Sequence, residues 1–180
     1  MRWSESTDAW SVRSRLRCCE SMGRMAGTRT DLVPRVSHGH ATVIIALGSN
    51  LGDRAVQIRR AIAALPVRVV RVSRLFETEP VDAPAGSPQF LNAVAVGHTS
   101  MSPLELLAAL HLLERRLGRT RNGRRNEPRT IDLDLILHGA TRMRSSALTL
   151  PHPRASRREF VMAPLRTVWT GEVPAMLRLA

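Results

Sequence analysis

Asp132-Leu133-Asp134 places two carboxylates two residues apart within the run TIDLDLIL at Thr130–Leu137. The run is apolar, carries β-branched residues and is stopped by Gly139, so it reads as a strand. Side chains at i and i+2 of a strand share a face, so both acids project together while Ile131, Leu133 and Leu135 face the core. Two anions side by side on an apolar strand repel each other and are costly unless a cation neutralises them. Hard oxygen ligands with few other protein groups suit Mg²⁺, which completes its shell with phosphate and water. The exposed side of a sheet could also carry such a pair, so the neighbouring residues decide. Arg115, Arg116, Arg119, Arg121, Arg124, Arg125 and Arg129 lie immediately upstream. Guanidinium groups leading into metal-binding carboxylates are what polyphosphate chemistry requires, because they hydrogen-bond the charge that develops in transfer. Arg115, Arg116 and Arg124 read instead as solvated charge. Gly48-Ser49-Asn50 adds a weaker feature: a glycine that permits close backbone approach, just before a helix start. The Walker pattern is absent, so this is not a P-loop protein.

These residues need elements to position them. Thr42–Leu47 (TVIIAL) is strand-sized and bounded by Gly48. Leu51, Ala55, Ile58, Ile62 and Leu65 recur at helical steps, with Asp53 near the start and Pro66 just after. Val67–Phe76 reads as one strand, Pro80, Pro84, Gly86 and Pro88 mark a long loop, and Phe90–Val96 is another strand. Ser102-Pro103-Leu104-Glu105 is a capping box, Leu106, Leu110, Leu113 and Leu117 continue the helix, and Gly118 closes it. Arg119-Thr120-Arg121-Asn122-Gly123 then reads as a loop. The order β-α-β-β-α-β predicts an α+β, ferredoxin-like sandwich, with helices on one face of a mainly antiparallel sheet. That architecture serves many functions and selects none.

Composition narrows the field. The formal charge is +12 and no Tyr occurs; every basic residue is Arg, with no Lys. A field this positive attracts polyanions, which keeps nucleic-acid binding in play until a site displaces it. No apolar run approaches the roughly 20 residues of a membrane helix, so no membrane role is expected. Cys18 and Cys19 are adjacent and read as free thiols of a reducing, cytoplasmic compartment. Residues 1–40 show no sustained period and no secretory h-region, and read as a disordered extension before a domain at 41–180.

Taken together, ALGSNLGD (46–53), FETEP (76–80), PQFLNAV (88–94), RNEPRTIDLDLIL (125–137) and PHPR (151–154) closely resemble 6-hydroxymethyl-7,8-dihydropterin pyrophosphokinases. The resemblance spans roughly residues 42–166, in order and with compatible spacing. It implies an enzyme of folate biosynthesis that passes the diphosphate of ATP to the pterin hydroxymethyl group and leaves AMP. It further implies two Mg²⁺ ions on Asp132 and Asp134, and phosphate-gripping mobile-loop arginines at Arg119, Arg121 and Arg129. The ATP site would include Glu114, Leu135, His152 and Arg158. The pterin would be hydrogen-bonded by Asn92, stacked between Phe90 and Phe160, and met by backbone groups near Thr78 and Val81. Stacking on both faces with hydrogen bonds at the edge suits a flat bicycle.

Asn126 and Pro153 depart from aromatic residues that some members carry, and the chain ends soon after Pro164-Leu165, which suggests a shortened C-terminus. A monomer whose partners are ATP and the pterin, not nucleic acid, is expected. The rival class is an Arg-rich, ferredoxin-like RNA-binding module. It explains the charge but not the paired aspartates, which would repel a phosphate backbone, and few aromatics are available for stacking.

Overall fold

A computed structural model describes residues 40–80, 86, 88–120, 127–169 and 177. Val81, Arg121, Arg124, Arg125, Asn126 and the segment 1–39 lie outside the described residues.

The centre is β1 (Ala41–Ser49), whose side chains are buried on both faces along most of its length. Such a strand reads as a continuous apolar run, as TVIIAL does. β4 (Phe90–Thr99) pairs with it antiparallel on one side and β5 (Asp132–His138) on the other. β2 (Arg68–Val72) and β3 (Phe76–Thr78) both pair antiparallel with β4, giving the order β2-β4-β1-β5. The single strand expected over Val67–Phe76 is therefore two short ones. At the break, the Ser73 hydroxyl accepts a hydrogen bond from the Val94 N–H at 2.9 Å and donates to the Arg74 carbonyl at 2.7 Å. A side chain that bonds the backbone replaces the regular ladder there.

α1 (Arg54–Ala63) starts at Asp53, whose carboxylate accepts from the Val56 N–H at 3.0 Å. The N-terminus of that helix is thus capped by the chain itself. α2 (Pro103–Arg116) has the expected capping box: Ser102 accepts from the Glu105 N–H, and Glu105 accepts from the Ser102 N–H at 2.7 Å. Gly118 follows with φ of +85°, a left-handed turn that favours glycine and re-aims the chain after the helix.

Ile58 and Ala61 of α1 and Leu106, Leu110 and Leu113 of α2 pack on Val43, Ile45, Leu47, Ala93, Ala95, Leu133 and Leu135. The expectation that helices cover one face alone needs correction. α3 (Glu159–Val168) packs Val161, Met162, Leu165 and Val168 against Ile44, Ala46, Val94, Val96 and Ile136 on the opposite face. Its pattern is interrupted by Pro164, which removes a helix donor and obscures the helix in the sequence. A hairpin of β6 (Met143–Arg144) and β7 (Thr149–Leu150) completes the described strands. Among the described residues no helix is long and apolar enough to cross a membrane.

Candidate active site

Strand register builds the site. Gly48 on β1 stands between Asn92 on β4 and Asp132 on β5, and two residues along Ala46 stands between Val94 and Asp134. Directly paired residues of an antiparallel sheet point to the same side. Phe90, Asn92, Asp132 and Asp134 therefore share the face that α3 covers at its other end.

At the neutral end, the Asn92 side chain is buried and its amide NH₂ donates to the Thr78 hydroxyl at 2.8 Å. Thr78 thus fixes the orientation of Asn92 with its side chain, where the sequence suggested a backbone contribution. A Cβ at Gly48 would lie 3.1 Å from Asn92 Oδ1 and 3.7 Å from Phe90 Cδ1. The glycine clears space for these two side chains.

At the charged end, Asp132 Oδ1 accepts from Arg119 and Asp132 Oδ2 accepts from Arg129 Nη1 at 2.9 Å. Arg119 also pairs with Glu114. Glu114 is only 1% exposed, and its Oε1 accepts from the Leu133 N–H at 2.8 Å. A buried carboxylate is tolerable with such partners, and it pins the Arg-rich loop to the strand that carries the aspartates. Arg158 Nη1 lies 3.5 Å from Asp134 Oδ2. The Arg158 guanidinium is 5.3 Å from the centroid of the Phe160 ring, and that of Arg129 is 5.6 Å from the Phe90 ring. Each expected stacking ring thus lies beside an arginine expected at the phosphates or the ATP site.

Burial first, and then the negative charge of Asp132, push the Asp134 carboxyl up to about 6. The pair carries more negative charge than Arg158 offsets. Burial opposes the charge of Arg119, but Asp132 and Glu114 outweigh it and raise its pKa. His152 is pushed down to about 4 by burial, then by Arg158 and Arg154. Its Nδ1 accepts from the Arg154 N–H at 3.3 Å, so a neutral ring carries its proton on Nε2 as a donor.

The donor set fits Mg²⁺. No group of three or more His, Cys, Asp or Glu occurs among the described residues, so the two aspartates would leave most of a metal's shell to phosphate and water. The buried Nε of Arg129 has no partner among the described residues, and an anionic oxygen would satisfy it.

Leu135 belongs to the core between the sheet and α1/α2, so only its main chain can meet a nucleotide. Asn50 was not among the expected site residues. It is buried, its N–H donates to the Arg129 carbonyl at 3.2 Å, and its Oδ1 accepts from the Arg129 N–H at 2.7 Å. The sequence offered one clue, its place directly after Gly48-Ser49 at the end of a strand. Arg121 and Val81 lie outside the described residues. The RNA-binding reading finds no support here. Among the described residues, α1 and α2 cover one sheet face, while carboxylates and α3 occupy the other.

Residues 44–170 match the family model for 7,8-dihydro-6-hydroxymethylpterin-pyrophosphokinase. The chain is 44% identical over 128 residues to the 2-amino-4-hydroxy-6-hydroxymethyldihydropteridine pyrophosphokinase of Bacillus subtilis, which covers 69% of this chain and 75% of that one. It is 43% identical over 126 residues to a folate synthesis bifunctional protein of Arabidopsis thaliana, covering 68% of this chain and 26% of the other. The chain thus spans about a quarter of the length of such bifunctional relatives. Its fold is similar to that of a Plasmodium falciparum HPPK-DHPS protein crystallised with pteroate, with a TM-score of 0.56 at 12% identity, covering 77% of this chain and 41% of that one.

Proposed function

Since the chain belongs to the 7,8-dihydro-6-hydroxymethylpterin-pyrophosphokinase family, we propose that it transfers the diphosphate of ATP to the hydroxymethyl group of 6-hydroxymethyl-7,8-dihydropterin in folate biosynthesis. One observation carries this reading: a single sheet face joins a neutral amide and ring at Asn92 and Phe90 to a carboxylate and guanidinium cluster at Asp132 and Asp134. The first half suits the edge and face of a flat heterocycle, and the second suits a polyphosphate. The strand order and antiparallel pairings support a ferredoxin-like arrangement, extended by α3.

The pterin hydroxyl attacks the β-phosphorus in line and gives up its proton, which passes to solvent, while the bond from that phosphorus to the α,β-bridging oxygen breaks and AMP leaves with that oxygen. Asn92, oriented by Thr78, bonds the ring edge, while Phe90 and Phe160 stack on its faces. Arg119, Arg121 and Arg129 bind phosphate oxygens and oppose the charge that grows on them. The buried Nε–H of Arg129 has no partner among the described residues, and a phosphate oxygen would satisfy it. Arg158 and the neutral His152 contact the nucleotide, and Glu114 holds Arg119 near the aspartates. Asp132 and Asp134 would hold Mg²⁺, as two ions, which when bound neutralise phosphate charge and make the hydroxyl a better nucleophile. Water must be excluded, since hydrolysis competes.

The test is incubation of the protein with Mg²⁺, ATP and the reduced pterin, with AMP and pterin diphosphate resolved by chromatography. Stoichiometric formation of both is expected, and equally from a chain beginning at Ala41, because the family match begins at residue 44. ATP consumed without pterin diphosphate would overturn the reading, as would RNA binding that weakens steeply with salt in place of turnover. We further assign the protein to the cytoplasm as a monomer, with no nucleic-acid partner. The free-thiol reading of Cys18 and Cys19 and the convergence of the described site residues within one chain favour that assignment, and light scattering of the eluted protein checks its mass.

A further inference from the structure

We propose that Asn50 is a positioning residue that locks the returning ends of both site loops to the central strand, and so sets the aim of Arg129. The inference rests on the pyrophosphokinase reading above.

Asn50 directly follows β1 and joins three segments. Its N–H donates to the Arg129 carbonyl at 3.2 Å, and its side-chain Oδ1 accepts from the Arg129 N–H at 2.7 Å. One residue thereby satisfies both main-chain groups of Arg129, just beyond the last β1–β5 pair at Gly48 and Asp132. Its NH₂ lies 3.5 Å from the Pro88 carbonyl, two residues before Phe90. Arg129 closes the Arg-rich loop and Pro88 closes the Pro/Gly-rich loop, so a single buried amide holds both stems.

Arg129 has two duties that need accurate placement. Its Nη1 donates to Asp132 at 2.9 Å and its guanidinium lies 5.6 Å from the Phe90 centroid. The two contacts reach into the charged and the neutral halves of the site. A side chain alone cannot maintain both if its backbone drifts, and misplacement of about 1 Å at a reacting centre can cost about 100-fold in rate. Among the described residues, the hydrogen bonds of Asn50 run to Arg129 and Pro88. Its effect passes through Arg129.

Asn50→Asp keeps the acceptor for the Arg129 N–H and loses the NH₂ that faces Pro88. Asn50→Leu keeps the volume and loses both. Single-turnover transfer should slow about 10- to 100-fold in Asn50→Leu, within the range for groups that support a site without touching substrate. It should slow only a few-fold in Asn50→Asp, with the pterin KM changing less than kcat in both. Fluorescence of bound pterin and melting curves confirm that each variant is folded and loaded. Equal slowing of the two variants, or an undiminished rate in Asn50→Leu, would overturn the proposal. Absence of AMP formation by the wild-type protein would instead overturn the pyrophosphokinase reading itself.

Discussion

The two faces of the central sheet are made from the same strands, yet they differ in chemistry. Toward α1 and α2, the paired rows Ala93–Leu47–Leu133 and Ala95–Ile45–Leu135 are apolar and buried throughout. Toward α3, the rows change along their length: Val94–Ala46–Asp134 is mixed, and Asn92–Gly48–Asp132 is polar on both outer strands. Period-two alternation lets one strand do both jobs, because Leu133 anchors the very segment whose neighbours, Asp132 and Asp134, face the reaction. Stability and chemistry are thereby separable at single-residue spacing. The apolar face supplies the rigidity that a preorganised site needs, and the other face can carry repelling charges because its backbone is held from behind.

The largest effects should come from treating adjacent residues of β5 differently. Asp132→Asn or Asp134→Asn should lower pyrophosphoryl transfer by about 1,000-fold or more, because each removes a charge that the metal requires. Their stabilities should move in opposite directions in metal-free buffer at neutral pH. Asp134→Asn relieves an ionised group that burial and Asp132 disfavour, so its melting temperature should rise. Asp132→Asn removes an ionised partner that Arg119 and Arg129 share, so its melting temperature should fall. Leu133→Ala should invert the pattern, with a loss of about 2–5 kcal/mol in stability and near-normal turnover by the molecules that remain folded. Calorimetry beside an AMP-release assay decides the matter. A Leu133→Ala protein that is stable but inactive would break the division of labour between the faces.

An intermediate effect is expected where the faces meet at the strand end. Ala at Gly48 would bring a methyl group 3.1 Å from Asn92 Oδ1, and Asn92 is held from the other side by Thr78 at 2.8 Å. Little room to yield remains. Gly48→Ala should therefore raise the pterin KM about tenfold, roughly 1.4 kcal/mol, while the metal dependence stays unchanged. Steady-state kinetics at varied pterin and varied Mg²⁺ will show whether only the neutral half of the site responds.

Much of this was legible in the residues. The alternation around Asp132 and Asp134, the capping box at Ser102 and the turn at Gly118 are local rules, and each element appears where its rule places it. The motif resemblance named site positions that the strand register then brings together. Three features were not legible, two of them because they depend on contacts distant in sequence. The break of one expected strand into β2 and β3 turns on Ser73 bonding to Val94. The coverage of the second face by α3 was hidden by Pro164 within ten residues of helix. The role of Asn50 depends on Arg129, which is 79 positions away. Periodicity reports on neighbours a few residues apart and contains no term for such pairs.

The smallest effect concerns His152 and also separates the faces. Burial, then Arg158 and Arg154, lower its pKa from 6.5 to about 4. In the unfolded chain the ring titrates near its ordinary value, so between about 4 and 6.5 the unfolded state binds a proton that the folded state refuses. Its contribution to stability is fully present above that window and is lost as the pH falls through it. Asp134 acts with the opposite sign. Its carboxyl is raised from 3.8 to about 6, so over an overlapping range the folded state holds a proton that the unfolded state has released, and stability grows as the pH falls. The two slopes partly cancel in the wild-type protein. Replacing His152 with Gln should expose the Asp134 slope, so the melting temperature of the metal-free variant relative to wild type should climb from pH 6.5 toward pH 4.5. Asp134→Asn should tilt the profile the other way. Leu133→Ala, on the apolar face, should lower the melting temperature by a similar amount at every pH, because no titrating group is lost. Melting curves of the four proteins at half-unit pH steps supply the comparison, and parallel profiles for wild type and His152→Gln would show that the ring is not held neutral by its surroundings.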